Sequence, residues 1–460
     1  MTIGKHISRG LMVIACLLLA GANGFNCSSN NDSSGGSTDT TIRVDDEQAI
    51  SATRGNFSGK LTSGDRFGSA LANLGDLESD GVTDLAVGVP LDDSGGDDRG
   101  AVWVLFMDDN GRVDIEQKIS ANNGGFNGNL DDGDQFGDAL AAIGDLDSDG
   151  VFDLAVGVPG DDAGGPDRGG VWILFLDSDG TVLDSVKIAV NRGGFDGKLD
   201  DNDRFGSAIA GIGDLNGDGI TDLAVGAPQT DDGASNAGAV WILFMAADGT
   251  VDSSTKISRT TGGFNGALEA GDTFGAALAG IGDLDNDGNP DLAVGAPGTV
   301  SRGETRGAVW VLFLDADGSV ISEQQIADRT GGFSGTLSKG DQFGAALASV
   351  GDLSGDGVAD LAAGAPDDDD GADDAGAIWL LLMTTGGTVD GWQKVSDTAG
   401  NFNGGLDAGD NFGAAIAGLG NLDNTNIDDI AAGTPGNDDG GTDKGAVWIL
   451  FMDITRPSIL

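Results

Sequence analysis

Histidine, tyrosine and cysteine are almost absent from this sequence of 460 residues. It contains one His, two Cys and no Tyr, and His6, Cys16 and Cys27 all lie near its start. The remaining chain therefore cannot form a His-based triad, a histidine metal site or a Cys–His nucleophile. We expect no enzyme activity; the catalysis left open is cleavage of a polysaccharide by paired carboxylates, as in glycosidases.

Basic residues are also scarce. The chain has 23 Lys and Arg against 75 Asp and Glu, a formal charge of -52. Nucleic-acid binding needs Lys and Arg clusters that are absent here, and an anionic membrane surface would repel the chain. Hydrophobic residues make up 39% of the sequence, which is enough for a core and too many for a disordered acidic chain.

The one long apolar run is at the start of the chain. Lys5 and Arg9 precede the apolar stretch Leu11–Ala22, and small residues follow at Ala22-Asn23-Gly24. This order is typical of an export signal, which we assign to residues 1–26; a buried helix is the alternative. No other segment is apolar enough to span a membrane, so we expect no transmembrane helix in the mature chain.

Cys27 opens a polar stretch, residues 27–42, that we interpret as a flexible tether. A single Cys directly after an export signal resembles the lipid-attachment site of bacterial lipoproteins, although the preceding "GFN" differs from the usual motif. Cys27 is therefore a lipid-attachment candidate, with a free thiol as the alternative. We expect the protein to be secreted or held at the cell surface, and stabilised without an internal disulfide.

The rest of the chain repeats every 69 residues. Phe-Gly pairs, single Trp residues and single Pro residues all keep this interval. The positions are Phe67, Phe136, Phe205, Phe274, Phe343 and Phe412; Trp103, Trp172, Trp241, Trp310, Trp379 and Trp448; and Pro90, Pro159, Pro228, Pro297, Pro366 and Pro435. Six copies without slippage indicate one structural unit used six times.

Each unit reads as four short strands separated by Gly, Asp and Pro. The third of them, "GVWILFLD" from Gly170 to Asp177, is apolar on both faces, as expected for a sheet packed between two others. Four antiparallel strands repeated six times predict an all-β fold, a six-bladed β-propeller, over residues 43–460. An open β-solenoid is the alternative.

The two ends of the repeat region complement each other. After Trp448 no fourth strand follows, whereas Arg43–Ser51, "RVDDEQAIS", matches the fourth strand Arg112–Ser120, "RVDIEQKIS". We therefore predict that the N-terminal strand completes the last blade, which closes a ring and leaves no sheet edge exposed.

An acidic nonapeptide lies between the first and second strand of each unit, as in "DLDSDGVFD", Asp145–Asp153. We call it the acidic loop and number its positions 1 to 9. Side chains at positions 1, 3 and 5 can converge on one point, Gly at position 6 permits a sharp bend, and the carbonyl at position 7 and carboxylate at position 9 can complete a shell of oxygen ligands. This pattern predicts calcium; Asp-Gly turns without metal are the alternative.

Five loops keep the pattern well enough to be candidate calcium sites. Their residues at positions 1, 3, 5, 7 and 9 are Asp76, Glu78, Asp80, Val82 and Asp84; Asp145, Asp147, Asp149, Val151 and Asp153; Asp214, Asn216, Asp218, Ile220 and Asp222; Asp283, Asp285, Asp287, Asn289 and Asp291; and Asp352, Ser354, Asp356, Val358 and Asp360. The longer Glu78 and the neutral Ser354 predict weaker binding in the first and fifth loops.

The sixth loop, Asn421–Asp429, is degenerate. It has Asn421 at position 1, Thr425 at position 5 and Asn426 in place of Gly at position 6. We expect it to bind calcium poorly or not at all, which leaves about five calcium ions per chain.

The combination of Phe-Gly, an acidic turn and Gly-Ala-Pro, as in Val225–Pro228 and Val294–Pro297, resembles the FG-GAP repeat of integrin alpha chains. Some units carry "VGVP" or "AGTP" instead. The resemblance covers the chain from about residue 43 onward and implies a calcium-binding β-propeller that serves adhesion or recognition. Integrin propellers have seven blades, so seven-bladed closure is the alternative to six.

Antiparallel strands place the acidic loops on one face of such a propeller and the long second-to-third-strand loops on the other. Those long loops vary between units while the strands hardly change. Variable loops on a rigid scaffold favour recognition, so we expect a protein or glycan partner on the face opposite the acidic loops. A structural surface protein without a specific ligand is the alternative.

Overall fold

Short strands joined by glycine-rich turns form the described chain. In this computed structural model the described residues are 41–425 and 427–455, and they contain strands and no helix. The predicted export signal, the lipid-attachment candidate Cys27 and most of the predicted tether lie outside these residues. The first strand, β1, spans Thr41–Ser51, so it begins two residues before the segment expected from the repeat.

Five antiparallel sheets of four strands follow one another along the chain, each in simple sequence order. Blade one contains β2 (Ala70–Gly75), β3 (Asp84–Val89), β4 (Ala101–Met107) and β5 (Val113–Ser120). Blade two contains β6 (Leu140–Ala142), β7 (Leu154–Val158), β8 (Gly170–Leu176) and β9 (Val182–Ile188). Blade three contains β10 (Ala208–Gly213), β11 (Asp222–Ala227), β12 (Ala239–Met245) and β13 (Val251–Ser258).

Blade four contains β14 (Ala277–Gly282), β15 (Asp291–Ala296), β18 (Ala308–Leu314) and β19 (Val320–Ala327). A small hairpin interrupts it between its second and third strands, formed by β16 (Val300–Ser301) and β17 (Glu304–Thr305). Blade five contains β20 (Leu347–Ser349), β21 (Leu361–Ala365), β22 (Ala377–Met383) and β23 (Val389–Val395).

Blade six is assembled from both ends of the described chain. It contains β24 (Ile416–Gly420), β25 (Asp429–Thr434) and β26 (Ala446–Thr455), and β1 pairs with β26 as its outermost strand. The inner strands contact one another in a closed cycle, with β24 of blade six against β2 of blade one. The structure thus confirms a six-bladed β-propeller closed by the N-terminal strand.

The hydrophobic core lies between neighbouring blades rather than inside any one sheet. One cluster, for example, joins Val104 of blade one to Leu154 and Leu174 of blade two, and all three side chains are fully buried. The third strands of blades one to four are buried at every position, and that of blade five is buried at all positions but one. Each apolar strand therefore contributes to two interfaces, which explains why these strands do not alternate polar and apolar residues.

The repeated glycines mark places where neighbouring blades touch through their backbones. A Cβ atom at Gly157 in β7 would lie 2.0 Å from the carbonyl oxygen of Gly206, the glycine of the next Phe-Gly pair. The same contact joins Gly433 in blade six to Gly68 in blade one. No side chain fits there, so the spacing of these glycines follows from the packing of the ring.

Candidate functional site

The acidic loops connect the first and second strands of each blade, as the sequence predicts. In blade two the carboxylate of Asp145, at position 1, accepts hydrogen bonds from the backbone N–H groups of Asp149 and Gly150, each at 2.9 Å. Asp149 in turn accepts one from Val151 at 2.8 Å. These bonds make Asp145 and Asp149 part of the turn itself and leave their carboxylates on the exposed side of the loop.

Two positions in each of the first five loops have a left-handed backbone. Position 4 has positive φ in all six loops, in the residues Ser79, Ser148, Gly217, Asn286, Gly355 and Asn424. The glycine at position 6 also has positive φ in the first five loops, 97° at Gly150 for instance. Few residues other than glycine adopt this conformation without strain, so Gly at position 6 is what allows the chain to bend back.

Carboxylate oxygens converge in two loops. In blade two, oxygens of Asp145, Asp147 and Asp149 lie within 4.8 Å of one another. In blade four, oxygens of Asp283, Asp285 and Asp287 do the same, and all six residues are exposed. Three like charges at this separation repel unless a cation lies among them, and oxygen ligands at such spacing suit Ca²⁺.

The candidate loops of blades one, three and five differ from these two at position 3. Asn216 in blade three presents an amide, and its Nδ2 donates to Asp218 at 2.9 Å. Ser354 in blade five presents a hydroxyl that donates to Asp352. Glu78 in blade one lies beside the buried Asp84, and burial raises the pKa of Glu78. The loops of blades three and five therefore offer fewer charged oxygens to a cation than the loops of blades two and four.

Position 7 combines an anchored side chain with a free carbonyl. Val151 packs against the core cluster shared by blades one and two, and Ile220 and Val358 pack against other clusters. Among the described residues, no N–H group donates to the carbonyl oxygen of Val151, Ile220 or Val358. That oxygen remains available as a ligand, which is the role predicted for position 7.

The aspartate at position 9 faces the sheet. Asp153 is 1% exposed, and its two carboxylate oxygens accept hydrogen bonds from the N–H groups of Leu146 at 2.9 Å and Leu176 at 3.1 Å. One bond holds the loop and the other holds the end of the third strand, β8. Burial raises the pKa of Asp153 to about 6, against the lowering effect of these two bonds.

This arrangement recurs in every blade. The position 9 residues Asp84, Asp153, Asp222, Asp291, Asp360 and Asp429 each accept one N–H group from their own loop and one from the third strand. The sequence pattern assigned this residue only to the metal. Its persistence in the degenerate sixth loop is the signal that points to a structural role.

The sixth loop retains the sheet-facing half of the site and loses the exposed half. Asp429 accepts hydrogen bonds from Leu422 and Met452, both at 2.9 Å. Asp423, at position 3, accepts one from Thr425 at 3.0 Å. Asn421 replaces the aspartate that caps the turn in the other loops, and Asn426 lies outside the described residues.

The opposite side of the propeller carries a second repeated arrangement that the sequence analysis did not identify. In blade one the Lys118 ammonium donates to Asp92 at 2.6 Å and lies 5.5 Å from the centre of the Trp103 ring. Blades two, three and five place a lysine over their tryptophan in the same way. The 69-residue spacing of these lysines could have indicated it, since they lie opposite the tryptophans in the predicted fourth strand.

Several carboxylates in the long loops accept hydrogen bonds from backbone N–H groups of the same loop. Asp93, Asp162 and Asp369 each accept a hydrogen bond from the N–H group five residues later, at 2.9 to 3.1 Å. Arg99 binds Asp132 and Arg168 binds Asp201, each at 2.8 Å, which ties a long loop to the following crossover. These loops therefore form an ordered surface.

A family model described as the FG-GAP repeat matches five segments of the chain, residues 67–105, 136–174, 205–243, 274–312 and 343–381. Each segment begins at a Phe-Gly pair, includes an acidic loop and ends in the third strand of a blade. The unit with the degenerate loop is not among them. In the described residues no helix is long and apolar enough to cross a membrane.

Several integrin alpha chains are similar in sequence. The chain is 34% identical over 243 residues to integrin alpha-5 of Xenopus laevis, which is 50% of this chain and 20% of that protein. It is 35% identical over 227 residues to integrin alpha-PS2 of Drosophila melanogaster, covering 48% and 14%. The chain thus spans about a fifth or less of the length of these relatives. A solved structure, BBS1N in complex with ARL6DN soaked with lead, aligns over 85% of this chain and 80% of that chain with 9% identity and a TM-score of 0.38.

Proposed function

Because this chain is an FG-GAP-repeat β-propeller similar to integrin alpha chains, we propose that it is a calcium-binding module that recognises a protein or glycan partner. Calcium ions bound in the acidic loops neutralise the converging carboxylates and hold each hairpin turn in place. The observation that carries the calcium assignment is the approach of three carboxylates to within 4.8 Å in both blade two and blade four.

The number and type of oxygen atoms available for coordination also support calcium. A loop such as that of blade two offers side-chain oxygens at positions 1, 3 and 5 and an unused carbonyl at Val151. Asp153 can add a ligand through a lone pair that its hydrogen bonds leave free. Hard oxygen donors in this number suit Ca²⁺, whereas the described chain has no His or Cys for softer metals.

Calorimetric titration of calcium into the purified, metal-free protein tests this proposal. We expect about five binding events, the strongest from the loops of blades two and four. The triple variant Asp145→Asn, Asp147→Asn and Asp149→Asn should lose one of them. Chelator should also lower the melting temperature at low salt, because binding to the folded state alone stabilises it. A titration without heat, or a melting curve unchanged by chelator, contradicts the proposal.

Recognition is proposed for the face opposite the acidic loops, where the long loops are ordered and differ between blades. The partner is a protein or a glycan, and the setting is extracellular or the cell surface, with adhesion as the physiological role. Glycan and protein arrays probed with calcium-saturated protein test this. Binding to a defined set of ligands supports recognition, whereas a purely structural surface protein would bind none of them.

Catalysis is not part of the proposal. The acidic residues recur with the 69-residue repeat, whereas an active site needs one unique constellation of residues. A carboxylate-only glycosidase would release reducing ends from polysaccharides. An assay for reducing ends on acidic and neutral polysaccharides should therefore give no signal above that of a heat-denatured control.

A further inference from the structure

Blade six departs from the other blades on its outer side. Ala49 pairs with Trp448 at the position where four other blades place a lysine. Beside these two residues lies an open cavity of about 530 Å³, between the outermost strand of blade six and the turn of blade one that contains Arg112. We call it the rim cavity. Its volume falls within the range of about 300–1,000 Å³ that is usual for small-molecule sites.

Two arginines line the rim cavity, in a chain where acids outnumber bases threefold. Arg54 is held through its Nε atom by Asp439 at 3.0 Å. Arg112 is held through its Nε atom by the side-chain oxygen of Gln48 at 3.2 Å. No hydrogen bond from the Nη atoms of either arginine to another described residue is formed, so each guanidinium is oriented and still has donors for a ligand.

At the neighbouring junction between blades five and six, the side chains at the same repeat positions have internal hydrogen-bond partners. Arg43 occupies the repeat position of Arg112, and its Nη2 is bound to Asp453 at 2.7 Å. Asn401 occupies the repeat position of Asn56, and its amide donates to the carbonyl of Val44 at 2.7 Å. At the rim cavity the exposed side chain of Asn56 donates to no described residue.

Glu47 and Asn56 add acceptors and donors to the wall, and Ala49 and Trp448 add an apolar floor. Free guanidinium groups bind a carboxylate through paired, charge-assisted hydrogen bonds. A carboxylate and an amide close by suit hydroxyl groups, which donate and accept. A ligand that combines one carboxylate with several hydroxyls on a compact ring is an acidic sugar.

We propose that the rim cavity binds the uronic acid unit of an acidic glycan, with Arg54 and Arg112 on its carboxylate and Glu47 and Asn56 on its hydroxyls. This goes beyond the recognition proposed for the face opposite the acidic loops, because the rim cavity lies at the outer edge of blade six. An acidic peptide is the competing occupant. It would bring carboxylates to Arg54 and Arg112 but no hydroxyl groups to Glu47 and Asn56, so the sugar is favoured.

The test is a ligand-observed NMR titration of the calcium-saturated protein with three probes: methyl β-glucuronide, methyl β-glucoside and N-acetylglutamate. We expect the glucuronide to bind, the glucoside to bind at least about tenfold more weakly for lack of the carboxylate, and N-acetylglutamate to bind weakly for lack of hydroxyls. Equal binding of N-acetylglutamate and glucuronide, or no binding of the glucuronide, overturns the proposal.

Four variants locate the site. Arg54→Gln and Arg112→Gln should each weaken glucuronide binding about tenfold or more, because each removes charge-assisted hydrogen bonds. Ala49→Gln, which installs the residue that blade four carries at this repeat position, should narrow the cavity and weaken binding without loss of stability. The matched control Arg43→Gln should leave binding unchanged. Melting curves of all four identify any variant that fails to fold.

Failure of this inference is distinguishable from failure of the proposed function. If arrays reveal a protein or glycan ligand whose binding survives Arg54→Gln and Arg112→Gln, the recognition module stands and the rim cavity is not its site. If no array ligand is found and the glucuronide also does not bind, both proposals fail.

Discussion

Blade two and blade six have the same four-stranded arrangement, but their acidic loops differ. Blade two has aspartates at positions 1, 3, 5 and 9, whereas blade six retains only Asp423 and Asp429 of these. The inward bonds of Asp429 match those of Asp153. The difference separates two roles within nine residues: the exposed positions are the proposed cation ligands, and position 9 holds the loop to its sheet in both loops.

Blade six also differs from blade two in that both ends of the described chain contribute strands to it. Removing the N-terminal strand should have the largest effect on stability. Deleting residues 43–51 removes the buried side chains of Val44 and Ile50 and exposes the edge of β26. The lost apolar burial alone amounts to about 3 kcal/mol or more, and the free edge promotes association. Light scattering should show dimers or aggregates, with a marked fall in melting temperature. A truncated protein that stays monomeric and equally stable would contradict the closed ring.

The next largest effect on stability is expected from substitutions at position 9 of the two acidic loops. Asp153→Asn and Asp429→Asn each leave a buried N–H group facing an amide N–H group, at a cost of about 1–3 kcal/mol in the free energy of unfolding. In the absence of calcium the two losses should be similar. With calcium, Asp153→Asn should lose more, because it also weakens a metal site. Urea unfolding in chelator and in calcium measures both; an Asp429→Asn variant as stable as the parent would rule out the structural role.

Restoring the exposed half of the sixth loop should make blade six resemble blade two. The triple variant Asn421→Asp, Thr425→Asp and Asn426→Gly recreates the pattern of Asp283–Asp291. Calorimetry should then find one more calcium ion per chain, about six in place of about five. The difference of one does not depend on the weaker loops with Glu78 and Ser354. An unchanged stoichiometry would mean that the ligand positions are assigned wrongly.

The smallest expected effect is on the pH dependence of stability, and it involves Asp134 in the crossover before blade two and Asp410 in the crossover before blade six. Burial raises the pKa of Asp134 to about 6, and the nearby carboxylate of Asp161 adds to the shift. In blade six Asn437 replaces that carboxylate and donates to Asp410 at 3.3 Å. A folded-state pKa above the unfolded value means that Asp134 stabilises the fold below pH of about 4 and loses this contribution as pH rises through about 6.

Asp134→Asn should therefore flatten the decline in stability between pH 4 and pH 7 in calcium-saturated protein. Asp410→Asn should flatten it less, because a hydrogen bond from Asn437 already favours the ionised form. Thermal unfolding at several pH values checks this, with the pH dependence of the parent as the reference. Equal slopes for the parent and Asp134→Asn would contradict the prediction.

Much of the fold could be predicted because the repeat is strict. The 69-residue interval of Phe-Gly pairs gave the number of blades, and the match of Arg43–Ser51 to Arg112–Ser120 identified the closing strand. These features are local or periodic, so they are readable without contacts. The hairpin of β16 and β17 was not predicted, since two-residue strands carry no periodicity.

The candidate site was predictable in part. Residue types at positions 1, 3 and 5 indicated a cation loop, and the structure brings those carboxylates together in blades two and four. The calcium itself and the ligand set remain predictions. The inward direction of Asp153 could not be read from spacing, because it depends on the N–H group of Leu176, which lies 23 residues later in the neighbouring strand β8.

The sequence by itself determined the repeating unit, the excess of negative charge and the absence of histidine chemistry, since these depend only on which residues occur and how often. Tertiary structure alone decided which aspartates face solvent and which face the sheet, and it placed Arg112 of one blade beside Arg54 of another to form the rim cavity. The physical reason is that solvent exposure and charge pairing depend on distances between segments far apart in the chain, and the closed ring sets those distances.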